Sequence, residues 1–357
     1  MSIDKVEAPP PAGEQPVPAD AGGAAGGVAG PVLRRVKGAA GWESWAQSVA
    51  LPVVWVLLVV AFGALRPTTF LTGPNFESIF GTQAPLLVLS FAILLPLTAG
   101  DYDLSAAANL TLTSMVLAVL NVNGHWPVLL AALAALGVGV AIGAVNAVFI
   151  VLVGIDSFIV TLGTGTFLSG VALWISGSTT VSGIASGFTQ WTVSNRLFGL
   201  PMEFFYGVAL MLIVWYILEL TAPGSRLLFV GRGREVARLS GVAVGRTRAM
   251  GLIGSGFLSA VAGLLYAGTL GAADPTSGVA LLLPAFAAAF LGATAIRPGR
   301  FNALGTFIAV YFLATGINGL TIFGASSFVQ DLFYGGALVL AVAASRAATL
   351  RHRRGRG

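Results

Sequence analysis

The stretch TAGDYDLSAAANL, residues 98–110, sets two carboxylates, Asp101 and Asp103, between the apolar runs FAILLPL and NLTLTSMVLAVL. Only 9% of the 357 residues are charged and 56% are hydrophobic. A carboxylate at bilayer depth is costly and points to ion, proton or substrate handling by default. Ser105 and Asn109 add a hydroxyl and an amide to the same stretch. Two roles fit these residue types. Pro96 to Gly100 ends one helix well, and Asp103 or Ser105 can cap the next. A broken helix pair with free backbone ends also suits a solute pathway or gate. Thr161 and Thr164 share a helix face at i, i+3, where the plainer role is a hydroxyl bonding back to its own helix. Asn318 is a further pathway candidate near the end of a late apolar run, with helix packing as the plainer role.

Other chemistry is excluded. The chain has no cysteine, so disulfides, thiolate metal sites and cysteine nucleophiles are absent. The two histidines, His125 and His352, cannot form a multi-histidine metal centre. GVAVGRT, residues 241–247, fails as a phosphate-binding loop: it has three residues between its glycines and an Arg where that loop needs Lys.

The elements that must position these groups are membrane spans. Mean hydropathy is +0.88. Ten apolar segments of about 20 residues each match the roughly 30 Å hydrocarbon core. They cover 46–65, 77–98, 103–121, 127–153, 157–176, 203–221, 246–270, 279–295, 303–320 and 327–346. The expected fold class is an all-α polytopic membrane protein. The pI near 10 does not indicate nucleic acid, because the basic residues flank spans. Ten spans put Arg226, Arg232, Arg234, Arg238, Arg246, Arg248, Arg297, Arg300 and the basic C-terminus on one side. Only Arg66 and Arg196 lie on the other, so both ends are expected in the cytoplasm. Residues 1–41, rich in Pro, Ala and Gly, read as a disordered tail. Residues 42–346 read as the transmembrane domain and 347–357 as a basic cytoplasmic tail. Residues 33–45 carry Arg34, Arg35, Lys37, Trp42 and Trp45 and suit the membrane surface. Small residues at Gly139, Gly143, Ala147, Ser259 and Gly263 predict close helix packing.

The soluble segment 222–245 is the most informative loop. Within GRGREVARLSGVAVGR, Val236, Leu239 and Ala243 recur at i, i+3, i+7 and predict one face of a short helix bracketed by Gly233 and Gly241. Physics leaves two readings open: an ordinary basic surface helix, or one that docks into a soluble partner.

A resemblance decides between them. EVARLSGVAVGRTRAMGLIGSGFLSAVAGLLYAGTLGAADPTSG resembles the permeases of bacterial ABC importers for ribose and related sugars. Four further stretches resemble that family in its order: AGDYDLSAAA, SFIVTLGTGTFLSGVALWISG, AFLGATAIRPGRFNALGTFIAV and GINGLTIFGASSFVQDLFYGGALVLAVA. Ala106 and Ala107 depart from the Val-Gly that often follows the family's DLS triplet. The resemblance implies an ABC importer permease fold in the bacterial inner membrane. It implies pairing with a second permease copy or homologue, cytoplasmic ATPase subunits, and a periplasmic or lipid-anchored binding protein that delivers the solute. Arg234, Glu235, Val236, Arg238, Leu239 and Val242 would form the ATPase-docking helix. ATP and Mg would sit on the partner ATPase, with no cofactor in this chain. The alternative is a single-component transporter driven by protons or sodium, with Asp101 and Asp103 as coupling site. The spans show no deep ion pair, which counts against it. Span parity places 98–105 at the cytoplasmic end, so deep burial of its aspartates is not required. Asp103 and Ser105 are expected to cap, and Asp101 to be the more dispensable carboxylate.

Overall fold

The computed structural model describes residues 37–354, with side chains described from 48 to 343. The expected N-terminal tail up to residue 36, the side chains of Trp42 and Trp45, and those of the basic C-terminal tail lie outside the described residues.

Helices dominate. In chain order they are α1 (Lys37–Leu65), α2 (Pro67–Phe70), α3 (Gly73–Gly81), α4 (Ala84–Thr98), α5 (Ala106–Ala118), α6 (Val128–Ala147), α7 (Ser157–Ile175) and α8 (Ser186–Thr189). Then follow α9 (Met202–Leu220), α10 (Ala222–Arg232), α11 (Arg234–Leu239), α12 (Val244–Leu270), α13 (Val279–Gly292), α14 (Ala303–Ile322) and α15 (Ser327–Arg354). All ten predicted apolar segments coincide with helices. Among the described residues, eight are long and apolar enough to cross a membrane, while 279–292 and 327–343 are shorter apolar helices.

The centre of the bundle is α4, whose fifteen residues are all buried. Its sequence APLLVLSFAILLPLT is apolar on every face, as a helix surrounded by other helices requires. Its two hydroxyls satisfy themselves: Ser90 Oγ donates to Leu86 O and Thr98 Oγ1 to Leu94 O. On one side α12 packs against α4, α5 and α6, and on the other α13 packs against α4, α14 and α15.

The small residues do the predicted job. A Cβ at Gly143 of α6 would stand 2.6 Å from Leu252 O of α12. Gly139 meets Ala260 and Gly256 of α12 equally closely, and Gly263 sits against Leu110 and Thr113 of α5. Backbone-to-backbone approach at this range is what small residues permit where the hydrophobic effect does not drive helices together.

The two ends differ. One end carries the α4–α5 break, the α6–α7 turn, α10, α11 and the loop 293–302. The other carries a two-residue ladder, β1 (Val181–Ser182) with β4 (Ala272–Ala273), and a tight pair, β2 (Arg196–Leu197) with β3 (Leu200–Pro201). Asp274 ties these loops: its Oδ1 accepts from Thr276 N and Oγ1, and its Oδ2 from Thr180 Oγ1. Those hydrogen bonds, led by Thr276, hold its carboxyl below the usual aspartate range. Arg66, over the Phe323 ring, and Arg196, paired with Glu77, belong to this second end. The eight arginines from Arg226 to Arg300 surround the first, so the charge asymmetry read from sequence is a feature of the folded bundle.

Candidate functional site

The α4–α5 break begins where Pro96 sits in the last turn of α4 and Gly100 adopts φ +80°, a left-handed conformation that glycine takes without strain. The chain then crosses the bundle end and restarts at Ala106. Asp101 and Asp103 are 1% and 2% exposed. Both are buried within the protein although the break lies at the end of the bundle, because α10, α11 and α12 cover it.

Asp101 is held by two arginines. Arg248, in the early turns of α12, grips it in a fork: Nε donates to Oδ2 at 2.7 Å and Nη2 to Oδ1 at 2.7 Å. Arg234, the first residue of α11, donates from Nη2 to Oδ1 at 2.8 Å and to Gly100 O at 2.8 Å. Paired, charge-assisted contacts of this kind are the strong ones, and they need the planar guanidinium. Asp101, expected to be the more dispensable carboxylate, is the counter-ion of two arginines. The spans were read as having no deep ion pair; this pair lies at the end of the bundle, with Arg234 46% exposed and Arg248 15%. Charge pairing over 133 and 147 residues leaves no trace in local sequence. The approach is reinforced at Gly231, near the end of α10, which lies so close to Thr98 O that no side chain fits there.

Asp103 lies three residues before the first residue of α5. Its Oδ1 accepts from Ser105 N at 3.0 Å and Ser105 Oγ at 2.6 Å, an Asx turn that leads into the helix in place of the expected cap. Ser105 caps nothing: its hydroxyl accepts from Asn146 Nδ2 at 2.8 Å while donating to Asp103. The other Asp103 oxygen, Oδ2, accepts from Ser255 Oγ of α12 at 2.6 Å. Asn146 Oδ1 in turn accepts from Thr164 Oγ1 at 2.8 Å. A continuous polar chain therefore runs Ser255, Asp103, Ser105, Asn146, Thr164, joining α12, the break, α6 and α7. Every link is satisfied by another, so the chain is a joint between helices and not an open solute site.

The remaining candidates sort by position. Thr161 donates to Ser157 O at 2.7 Å, the plain back-bond, and also to Tyr102 O at 3.3 Å in the break. Ser157 Oγ accepts from Tyr102 N at 3.1 Å. Asn109 lies one turn into α5, where Nδ2 donates to Gly256 O at 3.2 Å and Gly139 O at 3.4 Å, a packing role. Asn318 is not brought to the site: it lies toward the other end of α14, next to the Gly319–Phe62 contact. Asn146, Ser255 and Ser157 were not foreseen: Asn146 and Ser255 are lone polar residues in apolar runs, and Ser157 follows Asp156 at the start of α7.

The α11 helix is shorter than the i, i+3, i+7 pattern predicts. Ala243 lies beyond it, because Gly241 turns the chain at φ +80°. Val236 and Leu239 are 60% and 80% exposed, and the Glu235–Arg238 pair beside them is exposed too. Ala237 is the buried face, and Val242 packs inward against the core. Of the six predicted docking residues, four point outward. Arg234 reaches in to Asp101 and Val242 packs beneath.

Comparison with known proteins gives this geometry its context. The family model for the branched-chain amino acid transport system permease component matches residues 75–342. The chain belongs to that permease family. The ribose import permease protein RbsC of Bacillus subtilis is 31% identical over 291 residues, covering 81% of this chain and 90% of that protein. The D-allose transport system permease protein AlsC of Escherichia coli K12 is 29% identical, covering 85% and 92%. An autoinducer 2 import permease, LsrD of Photorhabdus laumondii, is 29% identical, covering 87% and 93%. No solved structure matches. The chain is therefore a multi-pass membrane permease of the ABC importer class, a transport component and not an enzyme.

Proposed function

We propose that this permease translocates a monosaccharide or a related small polar solute into the cell, driven by ATP hydrolysed on a partner chain. Its relatives' names include two monosaccharides, ribose and D-allose. The observation that carries the coupling mechanism is the double aspect of α11. Its outer face offers Val236, Leu239 and an exposed ion pair to a partner, while its first residue grips the α4–α5 break through Asp101.

In this reading α11 docks on the ATPase, which holds ATP and Mg. Closure of the ATPases moves α11, and the Arg234–Asp101–Arg248 cluster transmits the displacement to the break. The polar joint then shifts α5, α6 and α7 together, and the pathway changes its open side. Both chain ends and the arginine-rich end lie in the cytoplasm, and the membrane is the bacterial inner membrane. Residues 42–346 form the permease domain, with α1 already including 37–41 and α15 continuing through 347–354, so the expected tails at 1–41 and 347–357 are partly helical. A periplasmic or lipid-anchored binding protein delivers the solute at the opposite end, near Asp274. The outer face of α7, with a cavity of about 790 Å³ lined by residues such as Phe158, Leu162, Thr166 and Trp174, is the seat of the second permease copy or homologue. The ion-paired Asp101 also suits the alternative, a proton- or sodium-coupled transporter, but family membership and the outward face of α11 weigh against it.

The test is uptake by cells with and without the partner ATPase, alongside purification of the tagged permease. A P-loop ATPase recovered in stoichiometric amount, and uptake abolished by its deletion, support the reading. Uptake that survives the deletion and collapses with a protonophore sinks it.

A further inference from the structure

At the arginine-rich end, a second charged cluster lies apart from the break. Glu219, in the last turn of α9 and 6% exposed at its side chain, accepts from Arg297 and from Arg300, the latter at 3.1 Å. Arg232, at the end of α10, lines the same cavity and makes no ion pair among the described residues. Three guanidiniums therefore face one carboxylate. Arg300 Nε is buried with no hydrogen-bond partner. Burial, opposed by Glu219 and reinforced by Arg297 and Arg232, holds the Arg300 guanidinium below its usual range. The site carries more positive charge than it can pair.

The cavity, of about 350 Å³, has aromatic and apolar walls from Trp215, Leu220 and Phe229, and a hydroxyl from Ser225. Leu220 is also the end of a stripe. Leu212, Tyr216 and Leu220, spaced i, i+4, i+8 along α9, are each at least half exposed. An apolar stripe running along a span into a basic cavity at the span's end has the form of a lipid: acyl chain below, phosphate above. Basic cavities beside the ends of spans take anionic headgroups, and tryptophan is favoured at that depth.

We propose that Arg232, Arg297 and Arg300 form a binding site for the phosphate of an anionic phospholipid whose acyl chain lies along α9. Glu219 is the internal anion that holds the arginines in place until the headgroup arrives. Because Arg232 is two residues from Arg234, the site adjoins the base of α11, and lipid occupancy would stiffen the segment that connects α9 to it.

The test titrates the purified full chain with short-chain phosphatidylglycerol, short-chain phosphatidylcholine and inorganic phosphate, read by native mass spectrometry. Phosphatidylglycerol is expected to bind about 25-fold tighter than phosphatidylcholine, at about fivefold for each of the two positive charges that Glu219 leaves unpaired. The double variant Arg297→Gln/Arg300→Gln loses that preference. Glu219→Gln strengthens it, a gain that a misfolded protein could not give. Arg226→Gln, on α10 but outside the cavity, leaves it unchanged. Equal affinity for the two lipids, or a preference that survives in the double variant, overturns the proposal. So does inorganic phosphate binding as tightly as phosphatidylglycerol, which makes the site one for a free anion. A double variant that binds both lipids as before but no longer co-purifies with the ATPase also overturns it, and reassigns the cluster to that partner.

Discussion

Asp101 shows what a single carboxylate can do when three elements converge on it. Its two oxygens take three hydrogen bonds from Arg248 and Arg234, so losing the carboxylate strands the Arg248 guanidinium, which is only 15% exposed, while Arg234 can still reach water. Removing one partner from such a cluster costs about 3–5 kcal/mol. Asp101→Asn is therefore expected to lower the thermal stability of the purified permease and to abolish coupled uptake. Asp101→Asn protein with wild-type melting and transport would show the cluster to be ornamental. Asp103 is the milder case, since its partners are hydroxyls and a backbone N–H, and loss of such contacts costs about 1–3 kcal/mol. The sequence singled out both aspartates and expected a cap at Asp103, because a carboxylate just before a helix start is a local signal, and Asp103 does turn the chain into α5 through Ser105. It gave Asp101 the lesser weight, although Asp101 carries the ion pairs. The arginines that pair with Asp101 come from far along the chain, and they read locally as topology signals alone. The same holds for Asn146 and Ser255, whose partners exist only once α6 and α12 have packed.

At the scale of elements, α11 has two faces. Its apolar residues Val236 and Leu239 stand in the open beside Glu235 and Arg238, which is an unfavourable way to leave a helix unless something covers it. Leu239→Asp, or Leu239→Pro, should leave the permease inserted and folded but reduce ATPase co-purification and uptake at least tenfold. Arg238→Glu should act in the same direction and less strongly, because its ion pair is fully at the surface. Unchanged uptake in Leu239→Asp cells would remove α11 from the coupling path. The helix itself was legible, as were its bracketing glycines. Its length was not, since the apolar periodicity continues through Ala243 while Gly241 breaks the backbone.

At the scale of the whole molecule, the bundle is two groups of helices sharing α4. Those on the α12 side are locked by small residues, with Gly256 against Gly139 and Gly143 at the closest approach. Gly256→Leu is expected to force α6 from α12 and give a protein that is degraded or unfolds at a temperature at least several degrees lower. Gly137→Leu, on the exposed side of α6 where nothing lies near, should fold as wild type. Equal stability of the two variants would contradict the packing described here. Span positions, charge asymmetry and small-residue faces were all readable in advance, because bilayer thickness and helix geometry impose them locally. Which end of the bundle the break belongs to was readable too. Its burial was not, because that depends on three later segments folding over it.

The central claim is that ATP hydrolysis on another chain reaches the break through α11. The most direct test measures solute uptake and ATPase activity together, in vesicles containing the purified permease, its co-purifying ATPase and its binding protein. Wild type should transport only with ATP, while Arg234→Gln should keep the ATPase bound and hydrolysing but lose most transport. Transport by Arg234→Gln at the wild-type rate per ATP would contradict the account.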